Sequence, residues 1–315
     1  MKWKTCLLFL AVLTLAATPA FAAKRVSLAT GGTAGTYFPV GGALAGAASK
    51  SGAIKVTAET ANASVANINL LSTKDIELAM VQNDVSYWAF NGEQMFKDKP
   101  VKSLRAVLSI YPEDVHLVVT RASGIKNIGD IKGKRVSVGA PGSGTEADVQ
   151  AIFQVLGLTY NDMKVDRLDY TGTANRFKDE QIDAGFLVTG FPSPAVMDIA
   201  TTKDITLVNF DKDFLAKLQK AFPYFVPHVI PKGTYNKIDE DINTPAVMAM
   251  IVAHDKVSDD VVYEFLKGVF NNLDDVHKAH AKAKDISLKT ALDGLTVPMH
   301  PGAVKFYKEK GLAVK

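Results

Sequence analysis

The sequence predicts an α/β fold in two lobes, and three observations lead there. Short apolar strands alternate with helices along most of the chain, which implies parallel or mixed sheets covered on both faces. A strand, a Gly/Ser/Thr loop and a helix start recur in each half, at Val26–Thr36 and Val136–Glu146, with Gly32 over Gly142 and Thr33 over Ser143. The length of 315 residues is enough for two hydrophobic cores.

The elements follow in order. Val26–Ala29 is a strand, and Thr36–Ser49 is a small-residue helix in which Pro39 falls in the tolerant first turn. Ile54–Glu59 is a strand, Ser64–Ser72 a helix, Ile76–Val81 a strand and Asp84–Asn91 a helix. Arg105–Ile110 and Val115–Thr120 read as strands around Tyr111-Pro112, a first crossing between lobes. The second lobe repeats the pattern with strand Arg135–Val138, helix Gly144–Leu156, strand Lys164–Leu168, helix Thr173–Glu180 and strand Ala184–Leu187. The chain is expected to re-cross near Tyr224–Ile230, and helices at Asp259–Lys284 and Val304–Lys310 complete the first lobe. The expected division is therefore 1–22, 23–118 for lobe I, 119–227 for lobe II and 228–315 for the return to lobe I.

Residues 1–22 read as a removable export signal. Lys2 and Lys4 form a basic start, Leu7–Ala17 is an apolar stretch too short to span a bilayer, and Ala20-Phe21-Ala22 is an A-x-A cleavage site. The single cysteine, Cys6, lies inside that signal, so the exported chain has no disulfide. A periplasmic location follows as the expectation, with no stable membrane insertion. Without Lys2 and Lys4 there are 34 basic against 33 acidic residues, a balance that argues against electrostatic binding to nucleic acid.

Ligands on open α/β sheets gather beyond the carboxyl ends of the strands. Four loops lie there: Thr30–Thr36, Thr60–Asn67, Gln82–Asp84 and Ala140–Thr145. Gly142, Ser143, Gly144 and Thr145 combine close backbone approach, unpaired helix-start amides and two hydroxyls, a composition suited to an anion. Thr33 belongs to the matching loop, and Tyr37 is either a core residue or a wall of the site with its hydroxyl on offer. Ser64 and Asn67 are either helix-start residues or ligand contacts, and Gln82 and Asn83 either end a strand and begin a helix or reach the ligand. Glu146 is an acid in the first turn of its helix or an attractor for an amino group. Arg176 is a solvated helix residue or a partner for a distal carboxylate. His116 and His228 stand near the two crossings. His277 and His280 have a spacing that occurs among metal ligands, but the lysines around them and the lack of a carboxylate or cysteine partner favour a solvated helix face. No cofactor and no metal are expected.

An enzyme reading has one sequence feature. Gly142–Ala147 satisfies G-x-G-x-x-A after a strand, with Asp166 or Asp169 about 20 residues on where a ribose-binding acid would stand. This is the pattern of a dinucleotide-binding oxidoreductase, and export to the periplasm weighs against it. Asp183 and the cleft hydroxyls form no triad without an assigned histidine.

The stretch Ala29–Gly41, followed by Ser64–Asn67, Gln82–Asp84, Gly139–Thr145 and Pro298–Ala303, resembles the TAXI family, the extracytoplasmic solute receptors of TRAP transporters. The resemblance runs over the whole exported chain. It implies a two-lobed periplasmic binding-protein fold of type II-like form, with a ligand cleft between lobes and two crossovers. It further implies a small carboxylate ligand such as glutamate, glutamine or 2-oxoglutarate, and TRAP membrane subunits as partners. The pocket it implies is Thr33, Tyr37, Ser64, Asn67, Gln82, Asn83, Gly142, Ser143, Gly144 and Thr145.

Overall fold

The computed structural model describes residues 23–314. The export signal expected at 1–22, with Cys6, lies outside the described residues. In chain order the elements are β1 (Lys24–Ala29), α1 (Tyr37–Ser49), β2 (Ile54–Glu59), α2 (Ser64–Thr73), β3 (Leu78–Gln82), α3 (Asn83–Asn91), β4 (Leu104–Thr120), β5 (Arg135–Ser137), α4 (Gly144–Leu156), β6 (Lys164–Asp166), α5 (Tyr170–Lys178), β7 (Ala184–Thr189), α6 (Pro194–Thr202), β8 (Ile205–Leu207), α7 (Lys212–Ala221), β9 (Val226–Ile230), β10 (Ile242–His254), α8 (Asp259–Asn271), α9 (Leu273–His277) and α10 (Pro301–Glu309).

The strands join in the order β2-β1-β3-β10-β4-β7-β5-β6, with β8 on β4 and β9 on β10. β1 lies parallel to β2 and β3 in one lobe, and β5 lies parallel to β6 and β7 in the other. Between them run the two long antiparallel strands, β4 and β10. The first half of β4 pairs with β10, and from Asp114 onward it pairs with β7. The handover falls at Pro112–Asp114, beside a register irregularity between Met248 and Met250 of β10. Pro112 offers no N–H to the ladder, so its position at this irregularity is where a proline can be tolerated in a paired strand.

This geometry corrects several expectations. Tyr111-Pro112 does not interrupt the strand; β4 continues through it for 17 residues, and its second-lobe pairing begins at Asp114 rather than 119. The return occurs along β10, because Ile230, Tyr235, Ile238 and Ile242 pack with Val118, Leu187 and Ala195 in the second lobe's core. Residues from 228 to about 242 therefore belong with lobe II. The helix expected over Asp259–Lys284 stops at Asn271; Asn272 turns its amide back to the Gly268 carbonyl at 2.8 Å, and α9 and a 3-10 turn follow. α6, β8 and α7 add to the second lobe. Pro194 starts α6, and the Asp211 carboxylate accepts from Phe214 N to start α7.

Helix α4 shows how sequence fixes local structure here. The Ser143 hydroxyl accepts from Glu146 N at 3.1 Å, an N-cap of the kind that stabilises a helix by about 1 kcal/mol. Gly157 in the left-handed region ends it. Between these, Val149, Ile152 and Phe153 bury the inner face against Phe186.

Candidate functional site

The amino ends of α1, α2, α4 and α5 converge on a cavity between the lobes. It encloses about 90 Å³ of free volume and opens to solvent at its mouth. Its wall includes Gly31–Gly32, Ala34–Tyr37, Ala61–Ser64, Gln82, Glu113, Ala140, Ser143–Thr145, Asp169–Thr171 and Val188–Thr189. No lysine or arginine is among these residues. Negative charge entering the cavity therefore meets helix-start N–H groups and dipoles rather than a cationic side chain. The Gly144 and Thr145 N–H groups have no acceptor among the described residues, because they precede the first intrahelical bond, Ala147 N to Ser143 O.

Six of the expected residues, Tyr37, Ser64, Gln82, Ser143, Gly144 and Thr145, line this cavity. The other four are placed elsewhere. Thr33 is exposed and outside the wall. Asn67 is fully buried and donates to the carbonyls of Thr30 and Met80, both at 2.8 Å, so it fastens the ends of β1 and β3 together. Asn83 ties α3 to β10 and to the segment before α10, accepting from Met248 N at 3.0 Å and donating to Gly294 O at 3.1 Å. Gly142 lies behind the loop, where its N–H donates to Glu146 Oε2 at 3.0 Å and its carbonyl accepts from Ala66 N at 3.0 Å.

The wall also holds Thr36, Glu113, Tyr170 and Thr189, which the sequence reading did not single out. Glu113 sits at the β4 handover and is 3% exposed. The Tyr37 hydroxyl donates to its Oε1 at 2.5 Å. Burial, with the charges of Asp84 and Asp114 behind it, holds the Glu113 carboxyl well above the usual carboxylate range, against the opposing effect of the Tyr37 hydrogen bond. The Tyr170 hydroxyl donates to Val188 O at 2.6 Å and meets Thr145 Oγ1 at 2.8 Å, which positions the first turn of α4 against β7. The nearest sequence signal for Glu113 was its position beside Tyr111-Pro112, an acid at an inter-lobe crossing.

Directly behind the wall, Asp84 of α3 and Asp148 of α4 face each other across the lobes. Both are fully buried, and Asp84 Oδ1 and Oδ2 and Asp148 Oδ1 accept no hydrogen bond from any conventional donor. Burial raises both carboxyls; Asp148 is raised further because Asp84 and Glu113 add like charge beside it. The interaction between the two side chains holds Asp148 up and opposes the rise of Asp84. The Gln82 amide donates to Asp148 Oδ2 at 2.8 Å, and the Ser64 hydroxyl to Gln82 Oε1 at 3.3 Å.

The lobes are in contact around the cavity. Thr36 Oγ1 and Thr189 Oγ1 are 2.9 Å apart, Ala195 N donates to Ala34 O at 3.3 Å, and His280 Nε2 donates to Pro192 O at 3.1 Å. A Cβ on Gly144 would stand 1.6 Å from Gln82 Oε1 and 2.7 Å from Ser64 Oγ. The glycine spacing that matched a dinucleotide fingerprint is thus accounted for at Gly144 by close packing of the two lobes. Of the two acids paired with that fingerprint, Asp169 accepts from Gly172 N at 2.7 Å to start α5, and Asp166 lies 3.8 Å from Arg176.

Arg176 also donates to Gln181 and stands outside the cavity wall. Glu146 is paired with Arg167 and with the Gly142 amide. His116 bonds Asp114 O and the Tyr235 hydroxyl, and His228 bonds Asp114 Oδ1 at 2.5 Å; both support the strand crossing. His277 bonds Ile286 O at 2.9 Å. Among the described residues no group of three His, Cys, Asp or Glu side chains is arranged to hold a metal, and no helix is long and apolar enough to cross a membrane. The Pro298–Ala303 motif lies outside the cavity. Pro298 O accepts from Ala106 N and His300 N donates to Ala106 O, both at 2.9 Å, so the motif is laced to β4.

Comparison with solved structures places this architecture among two-lobed periplasmic binding proteins. A protein from Bordetella bronchiseptica RB50 superposes with a TM-score of 0.57 at 14% identity, covering 92% of this chain and 99% of its own. The binding component of an ABC phosphonate transporter from Pseudomonas aeruginosa gives 0.53 at 12% identity over 87% and 83%. A Listeria monocytogenes chain described as an L-cystine ABC transporter gives 0.50 at 14% over 84% and 98%. At such identities the likeness establishes the fold. The sequence itself matches the NMT1-like family over residues 28–311, nearly all of the described chain, and the protein belongs to that family.

Proposed function

We propose that this protein is the extracytoplasmic receptor of a transporter, that it captures a small carboxylate between its lobes, and that its partner is a TRAP-type permease of the kind served by TAXI receptors. The observation that carries the reading is the inter-lobe cavity with the unpartnered Gly144 and Thr145 amides in its wall. The binding roles of the named solved structures, a phosphonate binder and an L-cystine transporter protein, agree with capture of a small polar solute. The TRAP assignment rests on the sequence resemblance, and the carboxylate on the helix-start donors.

In this reading the open lobes admit the solute, and its anionic group docks on the start of α4. Contacts from Tyr37, Ser64 and Gln82 on one side and Ser143 and Thr145 on the other stabilise the closed form more than the open one, which shifts the population toward closure. The closed form is the one that docks on the membrane subunits. The chemistry is binding and release, with no bond made or broken. A thermal-shift screen of the purified protein against amino acids, dicarboxylates and keto acids tests it. A solute of the right class raises the melting temperature saturably by mass action; stabilisation by NAD with turnover of an alcohol or acid would overturn the reading.

A further inference from the structure

We propose that Glu113 is the ammonium-binding residue of the cleft and that the solute is therefore an amino acid rather than a keto acid or a plain dicarboxylate. This rests on the receptor reading above and narrows it.

Three observations converge. Glu113 lines the cavity while 3% exposed, and the groups that hydrogen-bond to it, the Tyr37 hydroxyl at Oε1 and the Gln82 side chain, are both uncharged. The surroundings supply no countercharge. Tyr37 faces it from α1, Asp84 from α3, Tyr111 and Asp114 from its own strand, Asp148 from α4 and Tyr170 from α5, and none of these is a cation. Finally, the same cavity presents the amide donors at the start of α4 without a cationic side chain.

The cavity is therefore polarised, with acceptors on the β4 wall and donors at the start of α4. A zwitterion matches both ends at once. Its carboxylate takes the donors, and its ammonium supplies the positive charge that the acidic wall lacks. A keto acid or unsubstituted dicarboxylate brings negative or neutral groups to a wall that already carries Glu113, with Asp84 and Asp148 behind it. The raised Glu113 carboxyl fits the same picture, since a carboxylate buried without a cation is costly until one arrives.

The test pairs solutes that share a skeleton. Each amino acid of the panel is titrated calorimetrically beside its 2-oxo analogue and, for the acidic members, its deaminated dicarboxylate; L-glutamate, 2-oxoglutarate and glutarate form one such set. The wild-type protein is expected to prefer the amine-bearing member of its best set by roughly ten- to hundredfold. Glu113→Gln is expected to reduce that preference to within a few-fold, mainly by weakening the amino acid. The wild-type ranking alone decides the matter if that variant does not fold. A best ligand without an amine, or a preference unchanged in Glu113→Gln, overturns the inference while leaving a carboxylate receptor intact. No binding by any member overturns both.

Discussion

Thr145 and Ser143 differ in what their hydroxyls already do. Ser143 caps α4 through Glu146 N, whereas Thr145 meets Tyr170 and, at 3.3 Å, accepts from Val188 N. Ser143→Ala is expected to lower stability by about 1 kcal/mol, read as a shift in the urea midpoint, as well as weakening the solute. Thr145→Ala should weaken the solute with a distinct origin, the loss of the link between α4 and β7. At this scale the sequence was informative where chemistry is local: a Gly-Ser-Gly-Thr run at a helix start announces unpaired amides whatever surrounds it. It was uninformative for Asn67 and Asn83, whose amides are buried against carbonyls and an amide from β1, β3, β10 and residue 294. Glu113 was missed because its significance depends on α1, α3, α4 and α5 folding around it.

Elements with strong local punctuation were legible from the sequence. β2 and α4 occupy the spans expected for them, and most other bounds differ by one to three residues, as helix and strand ends do. The second-lobe elements after β7 carry weaker punctuation, although Asp211 followed by Phe214, Leu215 and Leu218 is an N-cap before an amphipathic face. The β4 reading failed for a physical reason: an internal proline normally ends a strand, but here it sits at a register irregularity where no N–H is required. The contact between α3 and α4 yields a pH prediction. The Asp148 carboxyl is raised in the folded state, so the native protein holds its proton more tightly than the unfolded chain does. Its contribution to stability therefore falls as pH rises from the ordinary carboxyl value of about 3.9 upward through the raised value. Asp148→Asn keeps a donor toward Asp84 and removes the ionisation. The variant is expected to show a flatter dependence of unfolding free energy on pH over that window, measured by urea melts at several pH values. An unchanged slope would show that the two aspartates share no proton.

Across the whole molecule, one sheet carries two lobes that meet around a cavity polarised between amide donors and acids. The contacts that close it come from loops and helix starts of both lobes: Thr36 to Thr189, Gln82 to Asp148 and Ala66 to Gly142. Gly144 is the tightest of these approaches, since any side chain there enters the space of Gln82 and Ser64. Gly144→Val is thus expected to hold the lobes apart at the cavity. The most direct test of capture between the lobes is a calorimetric titration of wild type and Gly144→Val with the carboxylate that stabilises the wild-type protein most, alongside circular dichroism of both. Wild type is expected to give a saturable one-to-one isotherm, and Gly144→Val at least a hundredfold weaker binding with its secondary structure retained, a loss of about 2.7 kcal/mol. Equal affinity in the two proteins would place the solute outside the inter-lobe cavity and contradict it.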